Sequence, residues 1–384
     1  MTLSLKLTKK QPLRARISTA VFFFISGFGY ASWASRIPSI QQQLHLNDAE
    51  LGAVLFAFPV GLMLTMPLTG SLLRKFKGKQ IMLAGAILFN IFLALPGFAV
   101  YQWHLIGILL FFGAARNLLN LSVNTQSLGV QALYNKSIIT SFHAIWSLAG
   151  FAGAAVGYAM VSFHVAPAYH LMSVALLSLA LTAYFYPSSF DQSPSGEKKK
   201  LFSLPEKSLL KFAFISFACM ACENTMYDWG IIYFQKVTLS SKPMATAAFV
   251  MFMVAVLSGR IFGDKLTNKH GAKTILKYSG IFLGSGFLFC VLFPFIITTC
   301  IGFMSIGIGV SCIVPLVFSV AGKSKTLSNG TALASISTVG YLGFLIVPPM
   351  VGFISQVANL RWAFLIMACL ASTIILMVRK IGDE

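Results

Sequence analysis

Two acidic residues, Glu223 and Asp228, lie inside a long apolar segment of this chain, although only 10 of its 384 residues are acidic. A carboxylate near the middle of a bilayer costs roughly 2.5–3.5 kcal/mol on insertion scales, so such groups usually face a partner or a water-filled cavity. An acid in that setting can bind and release protons. We therefore take these two residues as the leading functional candidates.

A cation and three amides form a second polar group, in the apolar segment 103–127. Arg116, Asn120 and Asn124 are spaced four residues apart, which places them on one face of a helix, and Asn117 lies beside that face. Guanidinium and amide groups donate directional hydrogen bonds, which suits a solute that carries hydroxyl or carboxylate groups. The alternative is a structural polar seam between two helices.

The spacing of the two acids separates their roles. Five residues correspond to about 140° around a helix, so Glu223 shares a face with Tyr227, and Asp228 shares a face with Asn224. Glu223 and Arg116 both fall near the middle of their segments. A Glu223 that alternates between a dry environment and contact with Arg116 would take up and release a proton. A fixed salt bridge between them is the alternative.

Asp228 lies about 8 Å further along the helix than Glu223. A gate contact with Arg36 and a contact with substrate are both open for it. His143 precedes Trp146 by three residues, and an imidazole titrates near neutral pH, so His143 is a candidate proton carrier. Its alternative role is packing beside an aromatic ring.

Further polar and aromatic residues are candidates for binding the same solute. Tyr30, Trp33 and Tyr341 could stack on a sugar or an aromatic ligand, and Asn224 adds an amide. For Trp33 the alternative is anchoring at the membrane interface, where tryptophan is enriched.

The composition indicates a protein of the lipid bilayer. Hydrophobic residues make up 57% of the chain, charged residues 10%, and the mean hydropathy is +0.80, whereas ordinary soluble domains are about 25% charged. Twelve apolar runs have the length needed to cross a membrane, at 17–36, 49–73, 80–99, 103–127, 137–163, 168–187, 209–234, 243–263, 274–293, 295–320, 327–354 and 360–379. Because backbone groups in lipid must be satisfied within the segment, we predict an all-α, polytopic fold of twelve transmembrane helices.

The basic residues predict the orientation. The chain carries a formal charge of +19, and most of its Lys and Arg fall in alternate loops and at the two ends. The other loops hold only Arg36, Lys236, Lys242 and Arg361. The positive-inside rule therefore predicts cytoplasmic termini in a bacterial inner membrane. The same charge suits anionic lipid headgroups, so we expect no nucleic-acid partner.

The chain divides near its middle. Residues 188–208 are rich in Ser, Pro and Lys and predict a cytoplasmic linker between an N-terminal six-helix bundle, 1–187, and a C-terminal six-helix bundle, 209–384. Residues 30–34 (YASWA) resemble 226–230 (MYDWG), a weak internal repeat. Two related halves around a central site are typical of secondary transporters.

A loop signature carries a resemblance to the major facilitator superfamily. The segment 259–265 (GRIFGDK) resembles the superfamily's loop pattern of Gly, Asp and basic residues, and 70–79 (GSLLRKFKGK) is its first-half counterpart, with Arg74 where the acid usually stands. The resemblance implies that Asp264, with Arg260 and Lys265, latches a cytoplasmic gate. Arg36 is the candidate gate residue on the outer side.

The segments 141–147 (SFHAIWS) and 223–229 (ENTMYDW) resemble those of a bacterial branch near the fucose-permease-like sugar transporters. The superfamily resemblance implies a secondary transporter. The intramembrane acids add proton coupling, and the absence of the Gly-Pro motif that drug/proton antiporters of the superfamily often carry in helix five favours uptake, so we predict a monomeric symporter for a small polar solute. Proton-driven drug or metabolite efflux, a flippase for a lipid-linked substrate, a membrane-embedded transferase and a transporter-like sensor remain alternatives. No phosphate loop and no metal-ligand spacing is present in the sequence, so we predict neither an enzyme nor a cofactor.

Overall fold

A computed structural model describes residues 10–134, 138–191, 194, 205–206, 209–321 and 329–381, and their regular secondary structure is helical. The first half contains α1 (Lys10–Ala34), α2 (Ile37–Gln43), α3 (Asp48–Lys75), α4 (Gly78–Ala94), α5 (Gln102–Gln131), α6 (Ile139–Ser162) and α7 (Pro167–Phe185). The second half contains α8 (Leu210–Thr238), α9 (Lys242–His270), α10 (Ala272–Leu292), α11 (Ile296–Ala321), α12 (Asn329–Val357) and α13 (Leu360–Arg379). Short 3-10 turns occupy Pro96–Phe98 and Tyr186–Ser188.

Twelve of these helices are long, which confirms the predicted all-α membrane fold. By length and composition, 11 of the described helices can cross a bilayer. The exception is α8, a continuous helix whose apolar sequence is interrupted by Glu223, Asn224 and Asp228. Its residues 224–234 are nevertheless buried without a break. Protein rather than lipid therefore surrounds that part of α8. The short helix α2, which the sequence did not predict, follows α1 directly and has Pro38 in its first turn.

The same helix pairs pack in both halves. The contacts of α1 with α6, α3 with α5, and α4 with α5 and α7 recur as contacts of α8 with α12, α9 with α11, and α10 with α11 and α13. Glycines make the approach close: a Cβ on Gly113 would lie 1.9 Å from the Phe58 carbonyl oxygen, and one on Gly307 would lie 2.6 Å from that of Phe252. The domain boundaries themselves stay a prediction, because most of the linker 188–208 lies outside the described residues.

The central helices α1 and α8 are more deeply buried toward one end than toward the other. We call the face where α1 begins and α13 ends the terminal face, and the opposite one the distal face. Residues 25–38 and 224–234, toward the distal face, are buried. Toward the terminal face, one side of α8 is partly exposed at every third residue, at Phe214, Phe217 and Met220, as far as Glu223. This gradient indicates an opening between the halves that starts at the terminal face and ends at Glu223.

The distal face is held closed by a group that we call the distal clamp, built on Asp48 at the start of α3. Its carboxylate accepts hydrogen bonds from Gln41 Nε2 at 2.9 Å, Lys236 Nζ at 2.5 Å and Ser355 Oγ at 2.5 Å. Its backbone N–H donates to Gln356 Oε1 at 3.2 Å. The clamp thus joins α2 and α3 of the first half to α8 and α12 of the second.

One turn below the clamp, α3 and α12 touch through small residues. A Cβ on Gly52 would lie 2.6 Å from the Pro348 carbonyl oxygen and 3.0 Å from the Gly352 Cα. Because no side chain intervenes, the two helices approach backbone to backbone at this point.

The close contact of α3 with α5 predicts the effect of one methyl group. We expect Gly113→Ala to lower the thermal unfolding temperature of purified protein, because overpacking costs about 1–3 kcal/mol and the atom it meets belongs to the Phe58 backbone. Gly107→Ala, on the same helix, meets nothing within 4 Å and should unfold at the parent temperature or slightly above it. Equal losses in both variants would contradict the packing described.

Candidate functional site

A hydrogen-bonded chain of polar residues lies where the two halves meet. The hydroxyl of Tyr30, on α1, donates to Asn224 Oδ1 at 3.4 Å, and Asn224 Nδ2 donates to Asp228 Oδ2 at 2.9 Å. Tyr30 is 3% and Asp228 9% exposed. Asn224 and Asp228 therefore share one face of α8, as their spacing predicts.

Arg116 reaches this chain from α5. Its guanidinium carbon lies 3.5 Å from the centre of the Tyr30 ring and 5.7 Å from that of Phe58. Such stacking stabilises a cation away from water. Its Nη1 atom is buried and has no hydrogen-bond partner among the described residues. Arg116 therefore keeps an unused donor at the centre of the protein.

Glu223 forms an ion pair with Arg260, a residue of the neighbouring helix α9. The distance from Arg260 Nη2 to Glu223 Oε1 is 3.6 Å, and the two side chains are 19% and 15% exposed. The sequence predicts that Glu223 alternates between a dry environment and contact with Arg116. That contact is absent from the conformation described, so no fixed Glu223–Arg116 salt bridge is formed there, and the alternation stays a prediction. Arg116 stacks on Tyr30 instead, whereas Arg260 extends from a helix that packs directly against α8.

Arg260 also connects the two halves. Its Nη1 atom donates to Ser147 Oγ of α6 at 2.7 Å, and its guanidinium lies 5.3 Å from the centre of the Trp146 ring. The sequence assigns Arg260 to the gate motif at the end of α9. The structure places it one turn deeper, between Glu223 and the first half.

The amides of α5 divide into two groups. Asn120 and Asn124 are partly exposed, and Asn124 Nδ2 donates to Asn120 Oδ1 at 3.1 Å. They lie on the predicted stripe toward the terminal face. Asn117 is buried and donates to Thr69 Oγ1 at 2.9 Å, so its amide joins α5 to α3. That is the structural alternative which the sequence left open for the amides.

His143 lies on α6 at the edge of the opening. Its side chain is exposed, and its ring meets that of Phe23 edge-on, with centroids 5.4 Å apart. His143 lies one turn before Ser147, the α6 residue to which Arg260 donates. It is therefore placed between the terminal face and the Glu223–Arg260 pair, and its proton-carrying role stays a prediction.

The remaining binding candidates lie around Tyr30. Trp33 is 2% exposed and packs edge-on against Phe112, so it is not at a membrane interface. Tyr341 is partly buried, and Arg116 acts on it electrostatically. An enclosed cavity of about 10 Å³, room for one water molecule at most, is lined by Tyr30, Trp33, Leu55, Phe58, Pro59, Asn224, Asp228 and Phe344.

Arg36 does not contact Asp228. Its Nε atom donates to His170 Nδ1 at 2.9 Å, at the distal end of α7. Burial lowers the pKa of Arg36 to about 10, so the guanidinium stays charged at neutral pH. The gate contact with Arg36, one of the two roles that the sequence left open for Asp228, is absent from this conformation because Arg36 turns toward its own half. The gate role of Arg36 stays a prediction.

Two of the predicted latch residues, Asp264 and Lys265, do not share the contact of Arg260 with the first half in the part of the chain that the structure describes. Asp264 and Lys265 are exposed, and neither forms an ion pair within the part of the chain that the structure describes. In the first-half loop, Lys77 and Lys79 instead bind Asp191 at 3.1 and 2.9 Å. Hydrogen bonds from these two lysines hold the pKa of Asp191 below its usual value.

Sequence reasoning missed two groups of contacts. Ser147 was not recognised as a partner of Arg260, and the distal clamp on Asp48 was not predicted. A signal for the clamp was present: Asp48 is one of few acids and Lys236 one of few cations in the loops of the distal face. An acid and a cation at one face of a bundle are candidates to pair.

The family model of the Major Facilitator Superfamily matches residues 19–326 and 213–382. The chain belongs to the major facilitator superfamily. It is 30% identical over 369 residues to an uncharacterized MFS-type transporter of Yersinia pestis, which covers 95% of each chain. It is 28% identical to the membrane protein MosC of Rhizobium meliloti, over 91% of this chain and 85% of that one.

A solved structure shows the same fold. The crystal structure of a bacterial homologue of the human lysosomal transporter Spinster, in an inward-facing and occupied conformation, superposes with a TM-score of 0.75 at 11% identity and covers 97% of this chain and 98% of that chain. Membership of this superfamily makes the protein a multi-pass membrane transporter of the secondary type, not an enzyme.

The Glu223–Arg260 ion pair predicts that substitutions at the two residues have coupled effects on the stability of the protein. We expect Arg260→Gln to destabilise the protein by about 3 kcal/mol, because it leaves the Glu223 carboxylate buried without a partner. Adding Glu223→Gln should restore most of the loss, since two neutral amides can bond to each other. The measurement is thermal or denaturant unfolding of the parent, both single variants and the double variant. Additive losses would show that the pair does not form.

Proposed function

We propose that the protein takes up a small polar solute together with protons, across a bacterial inner membrane, as a symporter with both termini in the cytoplasm. The observation that carries the proposal is the Glu223–Arg260 ion pair, which lies where the opening from the terminal face meets the buried centre. On this proposal the terminal face is cytoplasmic, and the structure represents an inward-facing state.

Proton binding at Glu223 would act on the contact between the halves. A protonated Glu223 loses its charge attraction for Arg260, and Arg260 is the residue that donates to Ser147 across the interface. The proton therefore changes a contact that joins α9 to α6. A coupling ion has to bias one conformation over another in this way.

The substrate class follows from the free donors at the centre. Arg116 Nη1 and the Tyr227 hydroxyl are both buried, and neither has a partner among the described residues. Asn224 and Asp228 lie nearby with oxygens that accept hydrogen bonds. A solute with several hydroxyls and a carboxylate would satisfy these groups, which agrees with the resemblance to fucose-permease-like sugar transporters. The enclosed cavity is too small for such a solute, so binding requires the centre to open.

Proton-driven efflux and movement of a lipid-linked substrate compete with this proposal. A thermal-shift screen of purified protein against sugars, sugar acids, organic acids, amino acids and cationic drugs separates them. A ligand that binds only the folded state raises its stability by RT ln(1 + [L]/Kd). Stabilisation by amphipathic cations alone would contradict uptake and favour efflux.

The role of Glu223 in proton coupling is tested by Glu223→Gln in proteoliposomes. We expect the variant to retain counterflow exchange of the screened solute, which needs no net proton movement, and to lose accumulation driven by a pH gradient. Ser147→Ala serves as the control, because it removes a partner of Arg260 and no titratable group, and it should keep some gradient-driven accumulation. Loss of exchange as well as accumulation in Glu223→Gln would assign Glu223 to substrate binding or folding.

The latch at Asp264 is tested by Asp264→Asn. If Asp264 closes the terminal face in the outward-facing state, the variant loses a charged hydrogen bond worth roughly 1.5–3 kcal/mol, and the inward-facing population rises about tenfold or more. A cysteine in place of Met220, on the exposed side of α8, should then be alkylated faster. Asp191→Asn is the control, because Asp191 is already paired within the first half. Parental alkylation rates in a folded Asp264→Asn variant would exclude the latch.

A further inference from the structure

An open groove lies on the distal face, between the short helix α2 and the ends of α8 and α9. Its volume is about 730 Å³, within the range of roughly 300–1,000 Å³ that small-molecule sites occupy. It lies beyond the distal clamp and is separate from the central cavity, which is lined by a different set of side chains.

The groove has the chemistry of an anion site. Lys236 and Lys242 line it, together with the amides of Gln41, Gln42 and Gln235. None of the described side chains that line it is acidic. Two ammonium groups with several amides suit a carboxylate that also carries hydroxyls, because amides both donate and accept hydrogen bonds.

Lys236 belongs to the groove and to the distal clamp at the same time. Its Nζ atom lies 2.5 Å from Asp48 Oδ1, yet its side chain is 50% exposed, whereas that of Asp48 is 8% exposed. A carboxylate in the groove can therefore approach Lys236 from the open side and compete with Asp48. Asp48 would then lose one of the three hydrogen bonds that hold its carboxylate.

We propose that this groove is an outer capture site for a hydroxylated carboxylate such as a sugar acid, and that the bound solute loosens the distal clamp by drawing Lys236 away from Asp48. This inference rests on the proposed uptake function, under which the outer site fills before the central site is reachable. Its occupation favours the conformation in which the distal face opens, because the ligand binds better to a Lys236 that has left Asp48.

Binding is tested by calorimetric titration of glucuronate into purified protein in phosphatidylcholine nanodiscs, with glucose as the neutral comparison. We expect glucuronate to bind more tightly than glucose and to weaken with added salt, as an exposed charged site should. Lys242→Gln should weaken glucuronate about tenfold, the loss of one charged hydrogen bond. The matched control is Lys269→Gln, at the other end of α9, which should bind like the parent. Equal binding by Lys242→Gln and the parent would overturn the site.

Two variations separate this proposal from the alternatives. Arg116→Ala, which removes the central cation, should remove only the glucuronate binding that reaches the central site, and the binding that remains should still be weakened by Lys242→Gln. Loss of all glucuronate binding in Arg116→Ala would place the anion at the central site, and the outer site would be excluded. Nanodiscs that contain phosphatidylglycerol should bind glucuronate as phosphatidylcholine nanodiscs do. Lower affinity in them that persists at a salt concentration high enough to screen the surface charge would assign the groove to a lipid headgroup.

The coupling to the clamp is tested with a cysteine in place of Leu55, a residue of α3 that lines the central cavity. A membrane-impermeant maleimide added from the distal side should label this cysteine faster when glucuronate is present. The acceleration should disappear in Lys242→Gln and persist in Lys269→Gln. Unchanged labelling at saturating glucuronate would show that the groove does not act on the clamp.

Discussion

The cost of a charge away from water governs the centre of this protein. Glu223, Asp228, Arg116 and Arg260 all lie within the bundle, where an isolated ion is costly. Glu223 and Arg260 stabilise each other, Asn224 stabilises Asp228, and the face of the Tyr30 ring stabilises Arg116. These needs fix how α8 is rotated and which neighbours approach it. They also leave Arg116 with a buried donor that has no partner among the described residues, and the proposed substrate site is built on that donor.

The two halves repeat the same helix pairs but not the same polar residues. Backbone contacts such as those of Gly113 and Gly307 recur, so the packing framework is duplicated. Among the described residues, the acids near the middle of the long helices, Glu223 and Asp228, both lie on α8 of the second half, and one cation approaches them from each half. The helix packing is thus duplicated, but the charged residues are not. The ion pairs lie at the interface, where movement of the halves changes them.

Sequence reasoning succeeded where a feature depends on one segment. The long helices follow from apolar length, and the Asn224–Asp228 contact follows from a spacing of four residues. It failed where the feature depends on how two helices are rotated against each other. Arg260 rather than Arg116 binds Glu223 because α9 packs beside α8, and no spacing within α8 reveals that. The distal clamp joins Asp48 to Ser355, residues 307 apart in sequence, which only the packed fold brings together.

The distance of the distal clamp from the centre of the protein makes its hydrogen bonds sensitive to small rotations of the halves. Lys236 lies 13 residues beyond Glu223 on the same helix, which is about 20 Å at 1.5 Å per residue. If the halves rotate about an axis at the depth of Glu223, that length is the distance between the axis and the clamp. A turn of only about 10° would then displace the clamp atoms by about 3 Å, more than a hydrogen bond tolerates. The hydrogen bonds of the clamp that join the two halves would thus break early in the movement.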